Sequence, residues 1–112
     1  MVSDIVKLLS KNLTNFGQMA HENIDDVAGL YCFWVRGKCL YVGKSTSLKT
    51  RLKQHCEFQT NPILVEYFDV YSTEIKMALV FEPGMNDAEL YKLESEAIKK
   101  MSPIANRQGK SE

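Results

Sequence analysis

The chain contains 112 residues, of which 45% are hydrophobic and 25% charged, and its net charge at pH 7 is zero. This length supports one domain with a modest core, the composition is that of an ordinary folded protein, and the neutral balance argues against a general polyanion binder. No apolar run approaches the roughly 18 residues of a membrane span, and the first residues lack the order of a signal peptide, so we expect a cytoplasmic protein with no membrane partner.

Residues 1–27 form an N-terminal unit in this interpretation, ahead of a main domain at residues 28–112. Apolar residues recur at helical spacing up to Phe16, and Ser3 can act as the N-cap, so the pattern predicts an amphipathic helix between these two residues. The polar residues 18–26 predict a linker. We expect the helix to be an accessory element that packs on the core.

Two segments rich in aromatic and β-branched residues, Gly29–Val35 and Lys38–Val42, predict a β-hairpin. If residues 35–37 form a three-residue loop with the glycine in the left-handed region, Tyr31 and Tyr41 lie roughly opposite each other on one face. A two-residue turn would put the two tyrosines on opposite faces. The same-face arrangement is therefore a hypothesis that depends on the turn.

The next segment predicts a helix from Ser45 or Ser47 to about Cys56. Its apolar stripe includes Arg51 and His55 beside two leucines. A long arginine can extend from such a position to water, and a lone histidine there is more often a satisfied core residue than a catalyst. Taken alone, both side chains have a structural explanation as well as a functional one.

Charge is segregated along the chain although its sum is zero. Residues 28–58 carry six basic residues and one acidic residue, whereas residues 59–98 carry eight acidic and two basic ones. Such a basic block is usually a solvated face, but it also suits a phosphate-binding surface. The candidate phosphate-binding side chains are Lys44, Lys49, Arg51 and Lys53.

Three further elements follow. Residues 61–68 predict a short helix, and Glu74–Phe81 predicts a third strand. Asn86 followed by Glu89 has the spacing of a capping box, which predicts the start of a helix that continues to about Met101.

Glu94 is the anomaly of this last helix, because it falls inside the apolar stripe instead of beside it. Carboxylates are rarely buried without a partner, since desolvation costs several kcal/mol unless a cation or hydrogen bonds compensate. Glu94 therefore requires a metal ion, an arginine or an opening to water. A structural ion pair with Arg51 and a metal site both remain open at this point.

The three cysteines, Cys32, Cys39 and Cys56, form no CxxC pair and leave one thiol unmatched. This spacing favours neither a zinc knuckle nor a disulfide framework. We expect free, largely buried thiols.

The hairpin and the helix after it resemble the signature of the GIY-YIG nuclease superfamily. Gly29-Leu30-Tyr31 is followed, after nine residues, by Tyr41-Val42-Gly43. Lys44 follows the second half of the motif, and Arg51 with His55 four residues later matches the arginine and the tyrosine or histidine of the family's next helix.

The resemblance extends over residues 28 to 107. Glu94 corresponds to the glutamate of the family's later helix, and Pro103 and Asn106 follow it in the family's order. The resemblance implies a mixed α/β (α+β) fold, namely a three-stranded antiparallel sheet flanked by helices. The N-terminal helix is outside this common core.

The resemblance also implies a divalent-metal-dependent endonuclease that hydrolyses phosphodiester bonds of DNA with one Mg²⁺ or Mn²⁺ ion. With no appended DNA-binding domain, such a protein is expected to cut with low sequence specificity, to recognise a DNA structure, or to depend on a homodimer or a delivering protein partner. The alternative is a non-catalytic nucleic-acid or protein-binding module that keeps the fold.

Each residue of the motif then has an implied role in catalysis. Glu94 holds the metal ion, and Arg51 binds a phosphate oxygen. Tyr31 or Tyr41 orients or deprotonates the attacking water, which would require nearby positive charge such as Lys44 or the metal ion because phenol titrates near pH 10. Two further residues complete the site, His55 in proton transfer or phosphate binding and Asn106 in holding the site in place.

Overall fold

The fold is an antiparallel sheet with helices on both faces. The computed structural model describes residues 2–17, 24–57 and 59–106. Its elements, in chain order, are α1 (Val2–Leu8), β1 (Thr14–Asn15), β2 (Gly29–Val35), β3 (Lys38–Ser45), α2 (Leu48–Glu57), α3 (Pro62–Val70), β4 (Ile75–Phe81) and α4 (Asp87–Met101). None of the described helices combines the length and apolar content of a membrane span.

The described strands are paired in the order β1-β4-β2-β3, and every pairing is antiparallel. The expected antiparallel sheet flanked by helices is confirmed, but the expected number of strands is wrong, because the described sheet has four strands and not three. The additional strand is β1, whose two residues pair with Met77 and Lys76 of β4. Two residues are too short a run to be recognised from periodicity.

The expected helix from Ser3 to Phe16 is wrong beyond its first two turns. The helix α1 ends at Leu8, and Asn12, two residues before β1, adopts a positive φ of 52°. Asparagine tolerates this left-handed conformation better than most residues do. Phe16 then packs among the aromatic residues of the core and does not extend the helical stripe.

The sheet separates two apolar layers because the side chains of β2 alternate between its faces. Tyr31 and Phe33 point into one layer, which α2 and α3 cover. Leu30 and Cys32 point into the other layer, which α1 and α4 cover. The indole Nε1 of Trp34 donates a hydrogen bond of 2.8 Å to the carbonyl of the residue after α1, which attaches the N-terminal helix to the sheet.

The expected division into residues 1–27 and 28–112 remains a prediction. The linker expected at residues 18–26 lies mostly outside the described residues, and so does the segment after residue 106. The helix α1 packs against α4 and the sheet, since its Ile5 side chain is buried in the second layer.

The hairpin turn differs from the three-residue loop, yet the two tyrosines share a face. Val35 pairs with Lys38, so the turn has two residues, Arg36 and Gly37, both with positive φ. By itself this turn would place the tyrosines on opposite faces. A β-bulge returns the two tyrosines to the same face of the sheet. Phe33 pairs with Tyr41 whereas the next residue pairs with Cys39, so β3 contains one extra residue at this point.

The later helix starts follow the sequence patterns closely. The side chain of Asn86 accepts a hydrogen bond from the backbone of Glu89, and the Glu89 carboxylate accepts one from the backbone of Asn86, so the capping box is confirmed. Asn61 caps α3 ahead of Pro62. These two caps mark where α3 and α4 begin.

All three cysteines are free thiols, but the expected burial holds only for Cys32, because Cys39 and Cys56 are partly exposed. Cys32 is buried, and its Sγ lies 3.4 Å from the Sγ of Cys39 across the hairpin.

Candidate active site

The candidate site lies along β3, which forms one edge of the described sheet. The helix α2 contributes side chains from one face of the sheet, and α4, which packs mainly on β3, contributes them from the other. The residues that the motif singled out and that meet here are Tyr31, Tyr41, Lys44, Arg51, His55 and Glu94.

The two glycines of the motif are required by close packing. Gly43 pairs with Tyr31 across the hairpin, and a Cβ atom at Gly43 would overlap the phenol ring of Tyr31. A Cβ atom at Gly29 would overlap the backbone of Val80 and approach Leu48. Glycine at position 43 therefore lets a large ring cross the neighbouring strand and reach α2.

Tyr31, Arg51 and His55 form a buried hydrogen-bonded group. The hydroxyl of Tyr31 lies 2.7 Å from Nε2 of His55, and Nε of Arg51 donates to the same hydroxyl over 3.2 Å. Tyr31 is fully buried and His55 is 5% exposed. The stripe position of Arg51 and His55 is thus explained by hydrogen bonds to the motif tyrosine.

Burial shifts the pKa of both ring side chains in this group. Desolvation raises the pKa of Tyr31 far above its usual value, with a further contribution from Tyr41, so its phenol keeps its proton. Desolvation and the charge of Arg51 lower the pKa of His55 to about 4. At neutral pH the group therefore contains a neutral phenol, a neutral imidazole and a charged guanidinium.

Tyr41 belongs to the same aromatic cluster but is partly exposed. Its ring centroid lies 6.1 Å from that of Tyr31, 5.8 Å from that of His55 and 6.3 Å from that of Phe33. Tyr41 is also near enough to Arg51 to affect the pKa of the guanidinium. Of the two motif tyrosines, Tyr41 is the one that solvent can reach.

Glu94 is partly buried on α4, as its position in the apolar stripe indicated. Desolvation raises the pKa of its carboxyl group, and the charges of Lys44 and Arg51 partly oppose this effect. Glu94 in turn contributes to the raised pKa of Tyr31, so the carboxylate and the buried group are electrostatically coupled. It also borders an open surface pocket that includes Tyr91.

The ion pair of Arg51 with Glu94 is not formed. Arg51 donates to Tyr31 and, through NH1, to Oε1 of Gln54 over 3.1 Å. Among the described residues, no donor lies within hydrogen-bonding or ion-pair distance of the Glu94 carboxylate. A half-buried carboxylate that lacks such a partner and borders an open pocket retains its oxygen atoms for a hard cation.

The residues present fit a divalent ion held by few protein ligands. Within the described part of the chain, no three His, Cys, Asp or Glu side chains cluster in a way that would enclose a metal ion. Mg²⁺ commonly binds through one or two carboxylates and keeps several waters, with phosphate oxygens completing its coordination. This mode of binding requires no more than the one carboxylate that Glu94 offers.

Lys44, whose charge acts on this carboxylate, bonds an acidic residue that the sequence analysis did not identify. Its Nζ donates a hydrogen bond of 2.8 Å to Asp87, the first residue of α4, and this bond raises the pKa of Lys44. Asp87 precedes Glu94 by seven residues, which places both on the same side of the helix. That spacing is the signal that could have revealed it.

Asn106 bonds the backbone of β3 between the second tyrosine and its glycine. Its Oδ1 accepts from the amide of Val42 over 2.8 Å, and its Nδ2 donates to the carbonyl of Val42 over 3.0 Å. The side-chain amide of Asn106 thus satisfies both the backbone N–H and the backbone C=O of Val42 on the edge strand. The role of Asn106 in holding the site remains a prediction that this contact supports.

The remaining phosphate-binding candidates lie outside the buried group. Lys53 is exposed on α2, and Lys49 is partly buried one helical turn before it. Two glutamines that the sequence analysis did not select do join the group, since Gln54 bonds Arg51 and Gln59 bonds Nδ1 of His55. Gln59 was missed because it follows the predicted end of the helix.

Comparison with known proteins assigns the family. The model of the UvrC-like GIY-YIG domain matches residues 27–107, which is well over half of the chain. The chain therefore belongs to the UvrC-like GIY-YIG family, and the resemblance seen in the sequence is confirmed. A search of curated protein sequences found no match.

Several solved structures of one related domain match the fold. The GIY-YIG N-terminal endonuclease domain of UvrC from Thermotoga maritima, bound to magnesium as its catalytic divalent cation, is 26% identical, with a TM-score of 0.61 over 76% of this chain and 89% of that chain. An asparagine-to-alanine variant of the same domain, bound to its catalytic divalent cation, has the same identity and TM-score over 88% of its length. This similarity supports a nuclease function, and the cation in those structures indicates dependence on a metal.

Proposed function

We propose that the protein is an endonuclease that hydrolyses phosphodiester bonds of DNA with one divalent ion, Mg²⁺ or Mn²⁺, bound by Glu94. The observation that carries the proposal is the half-buried carboxylate of Glu94, which has no donor within bonding distance among the described residues yet lies beside the charges of Lys44 and Arg51. A bound ion would supply a Lewis acid that stabilises negative charge on the phosphate and on the leaving oxygen.

Arg51 is suited to orient the scissile phosphate. Its Nε is used in the bond to Tyr31 and its NH1 in the bond to Gln54, which fixes the plane of the guanidinium. Its remaining N–H groups can donate to a nonbridging phosphate oxygen, and a fixed planar donor costs little reorganisation in the transition state. Lys44 would contribute positive charge on the other side, and Lys49 and Lys53 would contact flanking phosphates.

Tyr41 is the better candidate for contact with the attacking water. It is partly exposed, whereas Tyr31 is fully buried and has a raised pKa. Tyr31 would then hold Arg51 by accepting a hydrogen bond from its Nε, and it would donate a hydrogen bond to His55. Asn106 would keep Tyr41 in place by holding the backbone of the residue that follows it.

A non-catalytic module that binds nucleic acid or protein is the second candidate. For the proposed nuclease, the zero net charge of the chain favours weak binding of DNA by the isolated protein. A homodimer or a partner protein that delivers the DNA is therefore part of the nuclease proposal. The choice of DNA over RNA and a cytoplasmic location remain predictions.

The test is cleavage of supercoiled plasmid DNA with Mg²⁺, with Mn²⁺ and with EDTA, comparing the wild type with Glu94→Gln. We expect nicked and linear products that require the ion. The substitution should lower the cleavage rate by about 10³-fold or more, because the ion contributes several kcal/mol of transition-state stabilisation.

Glu66→Gln is the matched control, because it removes the same charge from an exposed position on α3 that does not line the pocket beside Glu94. It should cleave within about threefold of the wild type. Equal rates for Glu94→Gln and the wild type would reject the metal-binding role of Glu94. Metal-dependent binding of DNA without any cleavage would favour the non-catalytic module.

A further inference from the structure

The hydrogen bonds around Tyr31 have only one consistent direction. A guanidinium can donate but cannot accept, so the bond of 3.2 Å from Nε of Arg51 occupies a lone pair of the Tyr31 oxygen. The proton of Tyr31 must then be donated elsewhere, and the atom 2.7 Å away is Nε2 of His55. That nitrogen is therefore the unprotonated acceptor of the imidazole.

A neutral imidazole with an unprotonated Nε2 carries its proton on Nδ1. The partner of Nδ1 is Gln59, whose Oε1 and Nε2 lie 3.3 Å and 3.1 Å from it. Both amide orientations satisfy the distance, but only the orientation that turns Oε1 toward the ring can accept the Nδ1 proton. Donor and acceptor counting thus decides the orientation of Gln59.

The opposite tautomer is disfavoured by burial. If His55 carried its proton on Nε2, it would donate to the Tyr31 oxygen, which already accepts from Arg51. The phenol proton would then have no acceptor among the described residues, although Tyr31 is fully buried. Burying a donor without a hydrogen-bond partner costs the full desolvation free energy of that group.

We propose that Gln59 is a positioning residue that accepts the Nδ1 proton of His55, so that together with Arg51 and Tyr31 it stabilises the Nδ1–H tautomer and, through Tyr31, holds the guanidinium of Arg51 for the phosphate. The effect on cleavage rests on the proposed nuclease function, whereas the tautomer can be measured without DNA or metal.

The direct test is long-range ¹H–¹⁵N NMR of the metal-free protein near neutral pH, with His21→Asn used to assign the two histidines of the chain. His55 should show a protonated Nδ1 and an unprotonated Nε2. Gln59→Glu keeps an acceptor and should keep this pattern at alkaline pH, whereas Gln59→Leu leaves the Nδ1 proton without its acceptor and should populate both tautomers. A protonated Nε2 in the wild type, or an unchanged pattern in Gln59→Leu, would overturn the proposal.

Cleavage gives the second readout. Gln59→Leu should lower the rate on the order of 10-fold, the scale of one hydrogen bond, and Gln59→Glu should restore it to within about threefold at alkaline pH. The groups that face His55 among the described residues are Tyr31, Tyr41 and Arg51. An added carboxylate would favour the imidazolium, which cannot accept from Tyr31, so the acid limb of the rate profile should move to higher pH.

The two proposals can fail separately. A wild type that cleaves DNA but has a protonated Nε2 would contradict the role of Gln59 and leave the nuclease intact. An inactive wild type with the expected tautomer pattern would contradict the nuclease and leave the tautomer assignment intact. If Gln59→Leu does not fold, the wild-type spectrum and Gln59→Glu still decide the matter.

Discussion

The two sides of the candidate site differ in how completely their polar atoms are bonded. On the α2 side, Arg51 and His55 each bond the hydroxyl of Tyr31, and Gln54 and Gln59 bond the outer atoms of the group. On the α4 side, Lys44 bonds the exposed Asp87, but the carboxylate of Glu94 has no such partner within the described chain. One side is preorganised, and the other retains capacity for a ligand.

The difference teaches how a small domain can combine precise geometry with metal binding. A buried network of polar side chains is stable only when each polar atom has a hydrogen-bond partner, and the network then holds its side chains in one arrangement. A metal site requires the reverse condition, since a carboxylate already engaged in strong bonds is a weaker ligand for an added ion. We expect substitutions on the two sides to have different consequences.

Arg51→Ala should give the largest effect among the tests that follow, because it removes the charged donor of the α2 side. We expect cleavage to fall by about 10²-fold to 10³-fold, which corresponds to roughly 3–4 kcal/mol of transition-state stabilisation. Single-turnover cleavage with Mg²⁺ measures this loss.

Arg36→Gln is the control for Arg51→Ala. It removes an equal charge at the hairpin turn, where Arg36 pairs with Glu74 and both side chains are well exposed. Its cleavage rate should stay within about threefold of the wild type. A loss below about threefold in Arg51→Ala would assign Arg51 a structural role only.

His55 should make the protein sensitive to acid. Its pKa is about 4 in the folded protein and 6.5 in the unfolded reference. Below that reference value the unfolded chain binds a proton that the folded chain excludes, so stability falls as the pH falls from about 6.5 to about 4 and is unaffected by His55 above that range. The expected loss is about 3 kcal/mol.

Urea unfolding of the wild type and of His55→Gln at several pH values measures this contribution. The variant is less stable throughout but should lose less stability on acidification. His21→Gln controls for the other histidine of the chain. Parallel stability curves for the wild type and His55→Gln would show that His55 is not held neutral by burial.

Asp87→Asn should give the smallest effect and would sharpen the comparison on the α4 side. The pair of Lys44 and Asp87 has one partner that is 69% exposed, so its loss should change the free energy of unfolding by less than about 1 kcal/mol. Freed from Asp87, Lys44 is available to a phosphate, and the KM for DNA should fall by up to about fivefold.

Glu74→Gln is the control for Asp87→Asn, since it removes one acidic charge at the remote pair with Arg36. It should leave the KM for DNA unchanged. If Asp87→Asn instead raises KM or slows cleavage, Asp87 positions Lys44 and does not compete with the substrate for it.

Much of the site was accessible from residue spacing. The paired glycine and tyrosine motif, the helix with Arg51 and His55, and a glutamate inside an apolar stripe are local patterns, and the capping box of Asn86 and Glu89 was equally local. Periodicity is governed by contacts over one or two turns of chain, which a sequence displays directly.

Other features depended on residues far apart in the chain. The bulge in β3 decides that both tyrosines face α2, and it compensates for a two-residue turn that would otherwise separate them. Asn106 bonds Val42 across 64 positions.

The sequence by itself determined the family, most of the element types and the candidate site residues, because these follow from local spacing and residue chemistry. Only the tertiary structure decided that Tyr31 is buried and Tyr41 accessible, that Arg51 is bonded to Tyr31 and not to Glu94, and that Gln59 reaches His55. Burial and long-range hydrogen bonds depend on how the layers pack, and no local pattern encodes that.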